Sequence, residues 1–237
     1  DNEDKTAKDY YDRYGDEVIM FDKKAVADTT DEGDNFDDRR VIIHARNACF
    51  EIAQKLGVTY FVQLDDDYYE FQFRLNHLQE YPIGRFTVKT KLDNLFDILL
   101  NFFKATNAKS IAMSQGGDWI GGSESGFSNY PMKRKCMNSF FCSVDRPFKF
   151  IGRVNEDVNT YVLLGSIGYL FCTIPFLMLN QKDTQSNDGG MTEMYLESGT
   201  YIKSFYTVMF SPSCTTIRMM GNKNRRLHHS INWNNAV

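Results

Sequence analysis

The sequence predicts an α/β fold, one domain over residues 1–237 with a mainly parallel central sheet flanked by helices. Three observations carry this. Apolar runs of strand length alternate with segments of helical periodicity. No internal repeat or linker interrupts them. One uncharged apolar run, "YVLLGSIGYLFCTIPFLML" from Tyr161 to Leu179, is broken by Gly165, Gly168 and Pro175. A buried helix followed by a buried strand explains that run better than a membrane span does.

The elements follow in order. "EVIMFDK" (Glu17 to Lys23) reads as a short strand, and "VADTTDEGDNFDDRR" as an acidic, mobile loop. From Arg46 to Leu56, Ala48, Cys49, Ile52, Ala53 and Leu56 recur at helical spacing, with Gly57 as the stop. "YFVQL" is the next strand and ends in three aspartates. In "KLDNLFDILLNFF", Leu92, Leu95, Phe96, Leu99 and Phe103 share one helical face. "KSIAMSQ" and "MNSFFCSVD" are strands on either side of a glycine-rich loop, Gly116 to Phe127. "NEDVNTYVLLGSIG" is a helix and "YLFCTIPFLML" a strand. "SGTYIKSFYTVMF" is a helix by position, despite its β-branched and aromatic residues. The end, from Ile217, is basic and polar.

Composition narrows the function classes. Of 237 residues, 42% are hydrophobic and 24% charged, as in an ordinary globular protein. A net charge of −4 argues against a broadly basic nucleic-acid coat, though not against a local basic groove. The five cysteines, Cys49, Cys136, Cys142, Cys172 and Cys214, form no C-x-x-C pair. That disfavours a thiolate zinc site and a disulfide framework, and points to a reducing, cytoplasmic setting. The chain starts at Asp1, without a Met, so the lack of a signal peptide carries no weight.

The chemistry concentrates in "FVQLDDDYYEF". Asp65, Asp66 and Asp67 follow a strand end, where open α/β sheets bind ligands. Clustered carboxylates repel, and Mg²⁺ or Mn²⁺ removes the repulsion while holding substrate phosphates. A solvated acidic turn is the plain alternative. Glu156 and Asp157 open a helix, where carboxylates cap the dipole; a general base is the functional reading. His228 and His229 sit among Lys223, Arg225 and Arg226. They could complete a metal shell beside phosphate-binding cations, or form a basic surface tail. Lys133, Arg134 and Lys135 form a second basic run.

Together these pieces resemble the GT-A nucleotide-sugar glycosyltransferases, over about two-thirds of the chain. "HARNACFEIAQKLGVTYFVQLDDD" is similar to their signature: an "RN" helix, a glycine, a strand and a D-x-D motif, here Arg46, Asn47, Gly57, Asp65 and Asp67. "RNACFEIA…VQLDDDYYEF", "GRVNEDVNTYV" and "NRRLHHSINWNNAV" most resemble the TET/JBP-associated glycosyltransferases, many of them phage-encoded. The resemblance implies a Rossmann-like GT-A domain. It also implies a metal-dependent hexosyltransferase that moves sugar, with inversion, from a UDP-sugar to hydroxymethylated pyrimidines in DNA. Asp67 would hold Mn²⁺ or Mg²⁺, with Asp65 and one of His228 and His229, His229 by preference. Arg46, Asn47, Asp65 and Asp66 would face the nucleotide. Asp157 would be the base and Glu156 would hold a hydroxyl. Gly116, Gly117 and Trp119 would wall the sugar pocket, and Arg225 and Arg226 would touch phosphates. One departure stands out: "EVIMFDK" matches the second element of that fold, so its opening strand is expected to be missing from this sequence. Three other readings remain. The acceptor could be a glycan, protein or small molecule. The chain could be an inactive nucleotide-sugar-binding module. A two-metal nuclease comes last, because it leaves the "RN" helix unexplained.

Overall fold

The computed structural model describes residues 1–74, 86–89, 91–119, 134–182, 194, 196–197, 199, 201–220 and 225–235. The chain begins with α1 (Ala7–Tyr14) and α2 (Lys23–Ala27), then α3 (Ile43–Lys55), β1 (Tyr60–Leu64), β2 (Tyr68–Phe73) and β3 (Phe86–Thr87). Next come α4 (Leu92–Ala105), β4 (Ser110–Gln115), β5 (Ser139–Ser143), α5 (Glu156–Ser166) and β6 (Phe171–Gln181). α6 (Ile202–Phe210) and a hairpin of β7 (Thr215–Met220) and β8 (Arg226–Ile231) complete it.

The main sheet has the order β1-β5-β4-β6-β2-β3, and within it only β4 and β6 are parallel neighbours. The expectation of a mainly parallel, Rossmann-like sheet is therefore corrected. The reason is connectivity. A parallel neighbour needs a crossover, usually a helix. The chain leaves β4 at Gln115 and re-enters the same end of the sheet as β5, so β5 runs back between β1 and β4. Similarly, β2 turns back directly after the aspartates and pairs antiparallel with β6. The pairings still leave β1, β4 and β6 pointing the same way. Their C-terminal ends, Leu64, Gln115 and Gln181, share one rim of the sheet.

Alternation along the strands divides the core into two layers. Ala112, Phe140, Cys142 and Phe171 face Ile43 of α3 and Val158 and Val162 of α5. Ile111, Met113, Phe141, Leu177 and Leu179 face Leu95, Leu99 and Phe103 of α4. Each fully buried Leu or Phe contributes about 1.5–3 kcal/mol. Leu92, expected on that face, opens α4 and is exposed. Pro175 lies within an interior strand, and the register of β4 against β6 shifts there. The Ser114 hydroxyl sits 3.2 and 2.9 Å from the carbonyls of Pro175 and Leu177, satisfying the backbone at the bulge. Among the described residues, no helix is long and apolar enough to cross a membrane. All five cysteines are free.

Two further expectations change. "EVIMFDK" is no strand: Gly15–Glu17 is a 3₁₀ turn, and Asp22 caps α2 by accepting from Ala25 N at 3.0 Å. Strand propensity depends on a neighbour, and the capping aspartate favours the helix. The acidic loop is also pinned rather than mobile. Arg153, 2% exposed, donates from Nε to Asp34 (3.0 and 2.9 Å) and from Nη2 to Glu32 and to Phe36 O. His44 Nε2 lies 2.6 Å from Glu32 Oε1, and Tyr206 Oη donates to Asp34 at 2.5 Å. Backbone bonds from Gly152 N to Asp31 O (2.7 Å) and from Arg153 N to Glu32 O (2.8 Å) extend this strap. Its acids neutralise the buried Arg153, just before α5.

Gly152 is where this strap meets the core. It adopts φ +86°, and a Cβ there would lie 2.2 Å from Asn159 Nδ2 and 2.8 Å from Phe210 Cε2. Asn159 cannot yield, since its amide donates to Val154 O at 2.9 Å in a fully buried position. Gly152→Ala is expected to destabilise the fold by about 2–4 kcal/mol, through overpacking and left-handed backbone strain. Urea denaturation measures this directly.

Candidate active site at the rim of the sheet

Arg46 organises the site. It lies on the inner face of α3, 4% exposed, with its guanidinium over the rings of Phe140 (4.8 Å) and Phe150 (5.7 Å). Nε donates to Glu156 Oε1 at 2.9 Å and Nη2 to Asp65 Oδ1 at 3.1 Å. One cation thus joins the end of β1 to the start of α5. Burial works against its charge, but Glu156, Asp65 and Asp157 outweigh it and raise its pKa. Asn47, the next residue, points elsewhere. Its amide donates to Phe150 O (3.1 Å) and accepts from Phe150 N (2.8 Å), anchoring the chain that leads to α5.

The three aspartates have different surroundings. Burial pushes Asp65 up to about 6, and Arg46 offsets only part of the effect. Asp66 is exposed. Asp67 has its pKa raised by burial, and its Oδ1 is buried with no hydrogen-bond partner among the described residues. Lys182 N donates to Asp67 O at 3.1 Å, fixing the aspartate turn to the end of β6. A buried, unpartnered carboxylate oxygen fits a cation donor. Among the described residues, no three His, Cys, Asp or Glu side chains form a metal-holding group. Such a site suits an ion like Mg²⁺, which takes one or two carboxylates and completes its shell with phosphate oxygens and water.

Asp157 is 8% exposed and accepts from Val158 N at 2.7 Å. Burial, with the neighbouring Glu156 adding to it, pushes its pKa up to about 7. The two carboxylates that begin α5 therefore differ: Glu156 is committed to Arg46, whereas Asp157 is left basic. Asn155, at φ 55°, positions them by donating to Lys203 O and to Thr207 Oγ1 (3.3 Å) on α6. Its amide also lies 3.4 Å from His229 Nδ1.

The terminal segment is a hairpin rather than a loose tail. β8 carries His228 and His229, with ring centroids 4.3 Å apart, opposite Arg218 and Ile217 of β7. Burial first, then His228 and Lys203, lower His229 to about 4, which leaves it neutral and able to ligate a metal. Arg226 opens β8, and Arg225 just before it is exposed. Gly116, Gly117 and Trp119 belong to a 3₁₀ turn, Gly116–Trp119, directly after β4. The Trp119 side chain and residues 120–126 lie outside the described residues, as do Lys133 and Lys223.

Lys135 turns inward to pair with Asp118, and the Arg134 guanidinium lies 5.2 Å from the Trp233 ring centroid. The sequence reading passed over Asp118, Gln115, Gln181 and Arg153. A carboxylate inside a glycine-rich turn was the available signal for the first; the others look like ordinary strand or loop residues until the pairing is known.

Fold and geometry together define a class: an α/β domain with a cluster of carboxylates at the rim where three co-directional strands end. The family model for TET-associated glycosyltransferases matches residues 1–190, and the chain belongs to that family, a family of glycosyltransferases. Neither curated proteins nor solved structures gave a match.

Proposed function

We propose that this protein transfers a sugar, with inversion, from a UDP-sugar to the hydroxyl of a hydroxymethylated pyrimidine in DNA. The observation that carries the reading is the convergence at one rim of Arg46, Asp65, Glu156 and Asp157, with the unpartnered Asp67 Oδ1 on the same turn as Asp65. Family membership supplies the reaction class. Asp67, with His229 as the second protein donor, would hold Mn²⁺ or Mg²⁺, which contributes positive charge to the leaving diphosphate. Asp65 and Asp66 face the nucleotide side, and Arg46 holds Asp65 in place. Asp157 removes the proton from the acceptor hydroxyl. The oxygen then forms its bond to the anomeric carbon as the bond to the diphosphate breaks. Glu156, fixed by Arg46, keeps α5 in register with β1. In a duplex, the acceptor base must leave the stack to reach Asp157. Arg225 and Arg226 would contact DNA phosphates.

The test is transfer of labelled sugar from UDP-sugars to hydroxymethylpyrimidine DNA beside unmodified DNA. Equal labelling of the two would remove DNA hydroxymethyl groups as the acceptor. Asp67→Ala is expected to weaken Mn²⁺-dependent UDP binding at least tenfold in calorimetry, while leaving the melting temperature unchanged or raised. A single acceptor oxygen buried without a partner carries a cost of about 1–3 kcal/mol, which this change removes.

A further inference from the structure

Between the aspartate turn and α5, the rim holds a polar cluster that neither metal binding nor proton removal requires. Asp118 is 8% exposed; one of its oxygens accepts from Gln115 N at 3.0 Å, and the other pairs with Lys135 Nζ. Lys135 is anchored from the other side by Thr173 of β6, whose hydroxyl donates to Lys135 O at 2.8 Å. Gln115 Nε2 donates to Gln181 Oε1 at 3.0 Å, and Asn138 Nδ2 donates to the same atom at 2.6 Å. The cluster occupies the ends of β4 and β6, the two central co-directional strands. Gln181 directly precedes Lys182, whose N–H holds the Asp67 turn. The Asp157 carboxylate also acts on the Lys135 charge.

A buried ion pair contributes little net stability against an apolar pair of the same volume, so stability alone does not account for it. Its location does. If the diphosphate sits at Asp67 and the anomeric carbon faces Asp157, the hexose between them must lie over the ends of β4 and β6. A hexose presents neighbouring hydroxyls, each both donor and acceptor. A carboxylate and an ammonium side by side can read such a pair: the carboxylate accepts from one hydroxyl and the ammonium donates to the next.

We propose that Asp118 and Lys135, flanked by Gln115 and Gln181, select the donor sugar by its hydroxyl stereochemistry. This rests on the glycosyltransferase reading above. A site built to hydrogen-bond a particular hydroxyl discriminates against a sugar that lacks or misplaces it, because such a sugar covers the buried pair without replacing the water contacts it displaces.

The test is calorimetry on the full chain with Mn²⁺ and UDP, UDP-glucose or UDP-galactose, using wild type, Asp118→Asn and Lys135→Gln. Wild type is expected to bind one UDP-hexose at least tenfold more tightly than UDP and than the other epimer. Each variant should bind UDP within twofold of wild type, while the hexose increment and the preference between epimers disappear. An increment that survives in both variants overturns the proposal, as does an equal loss of UDP and UDP-hexose affinity. The double variant D118N/K135Q leaves no unpaired charge and serves if a single change fails to fold. Wild type that binds neither UDP nor either UDP-hexose would overturn the UDP-sugar reading, and this proposal with it. Intact UDP binding with an unaltered increment in the variants overturns the sugar-selecting pair alone.

Discussion

Replacing Arg46 with methionine is expected to destabilise the protein by about 3–5 kcal/mol, the usual consequence of removing one partner from a buried charge network. Methionine fills a similar volume over Phe140 and Phe150, so lost packing is not the main effect. The carboxylates decide the outcome. Asp65 and Glu156 lose their direct partner, and Asp157 loses its nearby cation. Arg46→Lys keeps the charge but not the two-pronged geometry, so it should recover only part of the loss. The effect also carries a pH signature. Burial already raises Asp65 to about 6 and Asp157 to about 7, above their unfolded values. Groups shifted in this direction favour the folded state while protonated, and the benefit is lost as pH rises through the folded pKa. Without Arg46 the shifts grow, so the variant's urea midpoint should fall more steeply than wild type between about pH 4 and pH 8. A variant whose midpoint matches wild type at pH 8 would show that Arg46 does not hold the rim together.

Much of this rim was legible in the sequence because its signals are local. The apolar "YFVQL" ending in aspartates, the helical spacing after Arg46 and the "NED" helix start each need only a short window, and each element appears where expected. Strand direction was not legible. Alternating helices and strands suggest a parallel sheet, yet whether β5 returns through a crossover or re-enters from the same rim depends on residues 116–138, whose glycines and charges carry no directional information. Partners distant in sequence were equally hidden. Nothing in "DEGDNFDD" indicates that Glu32 and Asp34 close on Arg153, 121 and 119 residues further along the chain. Nor does "KRK" reveal that its last lysine turns inward to Asp118. That the terminal histidines sit on a hairpin was hidden as well, because cross-strand pairing, not local composition, makes β7 and β8 strands.

Asp157→Asn is expected to lower kcat by about 10²–10⁴, the range associated with loss of a general base, while UDP-sugar binding stays within a few-fold of wild type. The substitution is nearly isosteric. The asparagine oxygen can still accept from Val158 N, so the start of α5 should keep its geometry. It also removes a negative charge buried beside Glu156 and should leave the protein as stable as wild type or more so at neutral pH. A loss of activity alongside retained stability and donor affinity therefore isolates the proton-transfer step. The neighbouring acid provides the contrast. Glu156 is held by Arg46, so Glu156→Gln should reduce stability and disturb donor binding together, because it releases the link between β1 and α5. Two adjacent carboxylates at one helix start thus have separable roles: one leads into the Arg46 network, and the other is kept basic by burial. Normal turnover by Asp157→Asn, or equal kinetic defects in the two variants, would show that this division of labour does not operate.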